Sequence, residues 1–152
     1  MAILNNITSP SDSKVKLIDA RGPRFSAGIT TIVLATALVT HSAILISIQL
    51  AIFAIGAILS PAKTPYAFVF KKFVKPRLTG DVPTEDIRPP QFAQSVGLVF
   101  AIAALLGSIS GVSALFTVAV GFALAAAFLN AAFNFCLGCE AYLLVARATN
   151  RK

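Results

Sequence analysis

Two long stretches of this chain carry no formal charge. Phe25 to Pro61 and Phe92 to Cys139 contain no Asp, Glu, Lys or Arg, although the whole chain holds 13 basic and 6 acidic residues. A bilayer-spanning helix needs roughly 20 mostly apolar residues, and each stretch is about twice that length. Each is interrupted near its middle by small or polar residues, Thr40-His41-Ser42 in the first and Gly107-Ser108-Ile109-Ser110-Gly111 in the second. This pattern predicts two helical hairpins with spans over 24–40, 43–60, 91–107 and 112–135. The expected fold is all-α, a four-span transmembrane helical bundle. Buried helices of a soluble protein would not leave two such stretches uncharged. The composition agrees: 57% of residues are hydrophobic and 12% charged, against about 25% charged in soluble domains. A disordered chain would be poor in apolar residues and rich in charge.

The charges crowd at one end of this bundle. With two hairpins, both termini and the central loop share a side, and that side holds every formal charge. Basic residues favour cytoplasmic loops, so both termini are expected in the cytoplasm. Residues 1–18 form a polar tail without the apolar core of a signal peptide, and 19–152 form one membrane domain.

That domain contains an internal repeat. Asp19-Ala-Arg21-Gly-Pro23-Arg24-Phe25 recurs 67 positions later as Asp86-Ile-Arg88-Pro-Pro90-Gln91-Phe92, sharing D-x-R-x-P-x-F. Ala37-Leu38 and Ala104-Leu105 match at the same offset. Units 19–85 and 86–152 would each enter the membrane in the same direction, a parallel repeat about an axis along the membrane normal. The motif suits a helix start: proline fits the first turn, Asp faces the positive end of the dipole, and Arg snorkels to water or lipid phosphate. Alternatively, the axis brings Arg21 and Arg88 together as an anion site near the cysteines.

The central loop predicts an interfacial amphipathic helix. Thr64 can cap it and Pro65 start it. Tyr66, Val69, Phe70 and Phe73 recur at helical spacing, with Phe68 off that face, while Lys71, Lys72 and Lys75 take the other side against anionic lipid headgroups.

Cys136-Leu-Gly-Cys139-Glu140 is the one reactive-looking motif. Two cysteines three apart can close a redox disulfide, supply half a metal site, pass a persulfide, or simply pack. A closed metal site needs about four ligands, and the sole histidine, His41, falls on the opposite face, so no metal is expected. With a gap, since the offset is 76 and not 67, Ser60 to Tyr66 aligns with Cys136 to Tyr142. The prolines of the first segment predict a helix break, and an equivalent break at Gly138 would put Cys139 at a helix N-terminus with Glu140 beside it. Gln49, Asn130 and Asn134 lie within predicted spans, where amides hydrogen-bond a neighbouring helix or contact a substrate or quinone. No phosphate-binding glycine loop, H-E-x-x-H or Ser-His-Asp arrangement is present. The basic aromatic segment at 66–77 adjoins spans and reads as a lipid contact, not a nucleic-acid patch.

The D-x-R-x-P-x-F segments, the P-Y-x-F-V-F-x-x-F-V-x-P-R-L run at 65–78, Arg88-Pro-Pro90-Gln-Phe92-Ala-Gln94, and Asn130 through Tyr142 with its C-L-G-C-E-x-Y core resemble a bacterial, largely actinobacterial membrane family, domain of unknown function 4395. The resemblance spans nearly everything beyond residue 18. Members are often encoded near thioredoxin-like and sulfurtransferase proteins, which implies thiol or sulfur chemistry at a bacterial inner membrane. The expected function is exchange of electrons or sulfur with a soluble thioredoxin-like or rhodanese-like partner. Cys139 would be the nucleophile and Cys136 the resolving thiol, in a local field shaped by Arg21, Arg88 and Glu140. Two alternatives stand: a non-catalytic accessory subunit of a larger membrane complex, or a small sulfur-anion transporter, perhaps a homodimer. No cofactor is expected.

Overall fold

The structure is a computed structural model that describes residues 17–80 and 82–150. A short strand β1 (Leu17–Asp19) leads into helix α1 (Arg21–Thr40), which turns at His41 into α2 (Ala43–Ala54), extended by one π-helical turn over Ile55–Leu59. After a 3-10 turn at Pro61–Lys63, α3 (Pro65–Val69) continues as a π turn over Phe70–Val74 and a 3-10 turn over Lys75–Arg77. Strand β2 (Thr84–Asp86) precedes α4 (Arg88–Ser110), α5 (Ser113–Phe133) and α6 (Leu137–Asn150). The described chain is thus almost entirely helical. Three helices, α1, α4 and α5, are long and apolar enough to cross a membrane.

The expected second span is shorter than its neighbours, ending at Leu59. Pro61 supplies the reason. It has no N–H, so the carbonyl of Ala57 loses the donor an α-helix would give it four residues on. The chain widens into the π turn, where Ser60 N–H bonds Ile55 O at 3.1 Å. Gln91 of α4 then donates its side-chain Nε2 to Ala57 O at 2.9 Å. Ser60 and Thr64 start the next two turns, their hydroxyls accepting from the N–H groups of Ala62 and Ala67.

The hairpin turns differ. In the first, His41 adopts a left-handed conformation and Ser42 caps α2 by accepting Leu45 N–H at 3.2 Å. The second lies at Gly111–Val112, so Gly107 to Ser110 remain helical. Gly107 serves packing there: a Cβ on it would sit 2.7 Å from the backbone nitrogen of Phe116.

The two D-x-R-x-P-x-F segments meet as an antiparallel pair, with Leu17 opposite Asp86, Ile18 opposite Glu85 and Asp19 opposite Thr84. Ile18 and Glu85 are 67 residues apart, the offset of the motif itself. The register is therefore self-symmetric about that pair. Ala37 and Ala104, also 67 apart, are both fully buried in the central core with Leu34, Ile46, Phe116, Ala119 and Val120. The small side chains let helices approach closely. Packing also pairs α1 with α5 and α2 with α4, so each hairpin's first helix lies on the other's second.

Candidate functional site

The end of α5 creates the site. Asn134 turns left-handed (φ 56°), and its N–H bonds Asn130 O at 3.1 Å while Phe135 N–H bonds Leu129 O at 3.2 Å. These bonds cap the helix and leave Cys136 to begin the next one. Its carbonyl accepts Glu140 N–H at 3.0 Å and its Sγ accepts Cys139 N–H at 3.1 Å, the pattern of a helix N-cap. Cys136 and Cys139 are joined as a disulfide with Cα atoms 5.2 Å apart. Both are partly exposed and Glu140 is exposed in the first turn of α6, where the dipole favours an acid.

This corrects the expected break at Gly138. The break lies at Asn134–Cys136, because an asparagine tolerates the left-handed conformation and a cysteine then caps. Cys136, not Cys139, holds the cap position. Gly138 is helical, and its role is proximity: a Cβ on it would fall 2.6 Å from Ala93 Cα and Cβ of α4. The start of α6 is thereby pressed onto α4, and the Phe92 and Tyr142 rings meet nearby in a tilted pair with centroids 5.8 Å apart.

Behind the disulfide is a cavity of about 340 Å³. Cys136 and Cys139 are part of its lining, and α1, α2, α4 and α5 contribute the other walls, which are mainly apolar. Its polar groups are Ser26 and Thr30 of α1, Gln94 of α4 and Asn130 of α5. Gln94 Oε1 is buried and has no hydrogen-bond partner among the described residues. Sequence reasoning passes over it, although it lies in a charge-free stretch as Gln49 does; its side chain lies against Gly56 of the π turn, which depends on how α4 meets α2.

Of the three amides expected at membrane depth, only Asn130 lines this cavity. Asn134 is a correction: it caps α5 and is exposed, because the helix stops at Phe133. Gln49 is fully buried, accepting from Tyr66 Oη at 2.8 Å and donating to Thr30 Oγ1 at 3.5 Å. It ties α2 to α3 and α1. Tyr66→Phe is expected to strand Gln49 Oε1 without a donor, at a cost of about 1–3 kcal/mol. A lower thermal unfolding midpoint in detergent checks this, and an unchanged midpoint refutes it.

The two motif arginines are paired locally with the motif aspartates. Arg21 Nη2 pairs with Asp19 Oδ2 at 2.8 Å, and Arg88 Nη2 with Asp86 Oδ2 at 2.6 Å. Each Asp also accepts the backbone N–H of its Arg at 3.0 Å, so the motif caps each helix start in the same way. The Arg21 hydrogen bonds hold the Asp19 carboxyl below the ordinary carboxylate range. At Asp86 burial pushes upward and the Arg88 bonds outweigh it, again lowering the value. An anion site formed by Arg21 and Arg88 near the cysteines is corrected accordingly: each guanidinium is matched to a carboxylate, and neither lines the cavity.

Lys75 Nζ lies 3.7 Å from Asp19 Oδ2, Lys71 Nζ donates to Ala62 O at 3.2 Å, and Lys72 Nζ is 5.7 Å from the ring centroids of Phe68 and Phe73. The expected face of the loop helix shifts. Thr64, Ala67 and Phe70 point inward, while Phe68 and Val69 already point outward; the π turn at Phe70–Val74 changes the helical phase from Phe70 onward and turns Phe73 outward as well.

Fold and site define a class: an apolar helical bundle with membrane-length helices and a C-x-x-C disulfide capping a helix at one end. Residues 18–147 match the family described as domain of unknown function (DUF4395), and the chain belongs to that family. No curated protein and no solved structure matches it. Among the described residues no three His, Cys, Asp or Glu side chains gather as a metal site.

Proposed function

We propose that this is an integral membrane thiol–disulfide exchange protein, working through Cys136 and Cys139 on the charged side of the bundle. The observation that carries this reading is the cysteine pair at the start of α6, with Cys136 Sγ receiving the N–H of Cys139. A helix N-terminus stabilises a thiolate. The attacking role therefore goes to Cys136 and the resolving role to Cys139, the reverse of the order read from the sequence. A partner thiolate attacks Cys136 Sγ and releases the Cys139 thiolate. The partner's second thiol then attacks its own sulfur in the mixed disulfide and releases Cys136 as a stabilised thiolate. The partner leaves oxidised by two electrons and the pair is left reduced. A thioredoxin-like protein in the cytoplasm fits this chemistry.

The setting is a four-span bundle in the bacterial inner membrane with both termini cytoplasmic. Four spans include α2 with its π turn, whose 17 residues rise about 25 Å at 1.5 Å each, close to the roughly 30 Å of a bilayer core. A parallel repeat of two hairpins is supported by the self-symmetric strand register and by the paired burial of Ala37 and Ala104. Arg24 Nε, which donates to Ala131 O at 3.0 Å, joins the start of α1 to the end of α5 at the charged face.

Trapping tests the exchange and its order. In nanodiscs, Cys139→Ser should accumulate a mixed disulfide with a thioredoxin-fold protein carrying a single active-site cysteine as its activated disulfide. Cys136→Ser should react at least about tenfold more slowly. Equal rates would overturn the assignment of roles, and no adduct with either variant would overturn the exchange itself.

A further inference from the structure

We propose that the cavity behind the Cys136–Cys139 disulfide binds the ring of a lipid-soluble quinone, which takes up the two electrons of the reduced cysteine pair. This deepens the thiol-exchange reading and rests on it.

The first support is contact. Cys136 and Cys139 are themselves part of the cavity wall, so an occupant lies beside the cysteine pair. The second is the solvent the site faces. Phe100 and Phe122 of two membrane-length helices and Phe53 of the shorter apolar α2 contribute to its walls, so a molecule that reaches it from the bilayer has to be apolar. The volume of about 340 Å³ lies at the small end of the roughly 300–1,000 Å³ typical of ligand sites. That suits one substituted or two fused rings rather than a large ligand.

The third support separates a quinone from a lipid tail. Gln94 lines the cavity, and its Oε1, packed against Gly56, is a buried acceptor without a donor among the described residues. An acyl chain would leave it so, and an unpaired buried polar atom is costly. A hydroquinone hydroxyl supplies the missing donor once the Gln94 amide turns from Gly56 toward the ring. In the oxidised ring the carbonyl oxygens need donors instead, which the amide of Asn130 and the hydroxyls of Ser26 and Thr30 can provide. Ser26 and Thr30 are both 6% exposed and stand one turn apart on α1. One site thus offers partners to both redox forms of the same ring.

The step balances. The two cysteine S–H bonds break and the S–S bond forms. The two electrons and two protons pass to the quinone, whose carbonyl oxygens become hydroxyls. The oxidised pair is then ready to accept electrons from the next thiol partner. Turnover would drain electrons from soluble thiols into the membrane quinone pool.

The test uses the full-length protein in nanodiscs with decylubiquinone, whose fully substituted ring gives thiols no carbon to add to. The reduced protein should convert one quinone to hydroquinone for each disulfide formed. Gln94→Leu, and Ala126→Phe as a plug of the cavity, should each slow that conversion by about tenfold or more while the protein elutes from size exclusion as the wild type does. A photoreactive azidoquinone should label peptides of α4 and α5 in the Cys136→Ala/Cys139→Ala double variant, with decylubiquinone in excess preventing it. Rates unaffected by both cavity variants, or labelling confined to other surfaces, would overturn the site. Thiol exchange with neither labelling nor quinone reduction would overturn the quinone inference alone. Cavity labelling with cysteines inert toward both thiols and quinone would overturn electron transfer and the exchange reading together.

Discussion

Gly138→Val is expected to detach the start of α6 from α4 and carry the cysteine pair away from the cavity. Two effects oppose each other at this position. Glycine is a poor helix former, so replacing it inside the first turn of α6 by a residue with a side chain should favour the isolated helix by several tenths of a kcal/mol. Against that, the first atom of the new side chain would fall 2.6 Å from both Cα and Cβ of Ala93. One of those atoms is backbone in a 23-residue helix and cannot swing aside. Overpacking of this kind typically costs about 1–3 kcal/mol, so the clash decides the sign. The cost can be relieved by lifting α6, whose main packing partner is α4. The expected readouts are faster proteolysis after Asn134 and loss of the Phe92–Tyr142 ring contact by nuclear Overhauser effect, with the rest of the bundle retained. Gly138→Ala should move both readouts in the same direction, since its Cβ is already the clashing atom. A variant with undisturbed α6 would mean that α4 and α6 are not seated as described.

The three helices long and apolar enough to cross a membrane were legible because a hydrocarbon layer penalises charge, and two long uncharged stretches leave room for such helices. The shared D-x-R-x-P-x-F motif was legible too, since Asp and Arg two residues apart cap a helix by local geometry, and Asp19–Arg21 and Asp86–Arg88 do so in matching fashion. What sequence periodicity could not supply was phase. A π turn adds one residue to a helical circuit, so Phe73, placed with Phe70 by an α-helical count, faces outward. Likewise the helix break before the cysteines falls at Asn134, three residues before a leucine that restarts a helix, whereas Gly138 has the composition of a breaker and is instead a contact point. Gln91 and Gln94 lie within the expected third span, 91–107, yet nothing in their spacing singles them out. Only the tertiary structure brings one to the carbonyl stranded by Pro61 and the other against Gly56, where a Cβ would meet its side chain at 2.7 Å.

Gly107→Val is expected to be the most destabilising single change in the second hairpin. The left-handed Gly111 and the hydrogen bond from Val112 N–H to Gly107 O, at 2.9 Å, fold α5 back onto α4 within two residues. So tight a return brings the start of α5 across the last turn of α4, and a Cβ at Gly107 would lie 2.7 Å from Phe116 N and 3.0 Å from Val112 O. Both are backbone atoms, and Phe116 is 2% exposed in the core beside Ala104 and Val120. The clash cannot be absorbed by a rotamer change, so the hairpin has to open and pull Phe116 from its site. Partial loss of a buried phenylalanine adds to the overpacking; full truncation of such a residue costs about 3–5 kcal/mol, which sets the upper scale. The first hairpin offers the internal comparison. His41 and Ser42 turn that chain with no glycine, and Thr40 and Val39 at the end of α1 are exposed, so Val39→Ala there should be nearly silent. Thermal unfolding in detergent measures both, and a Gly107→Val midpoint within a degree of the wild type would show that the second turn is looser than its packing implies.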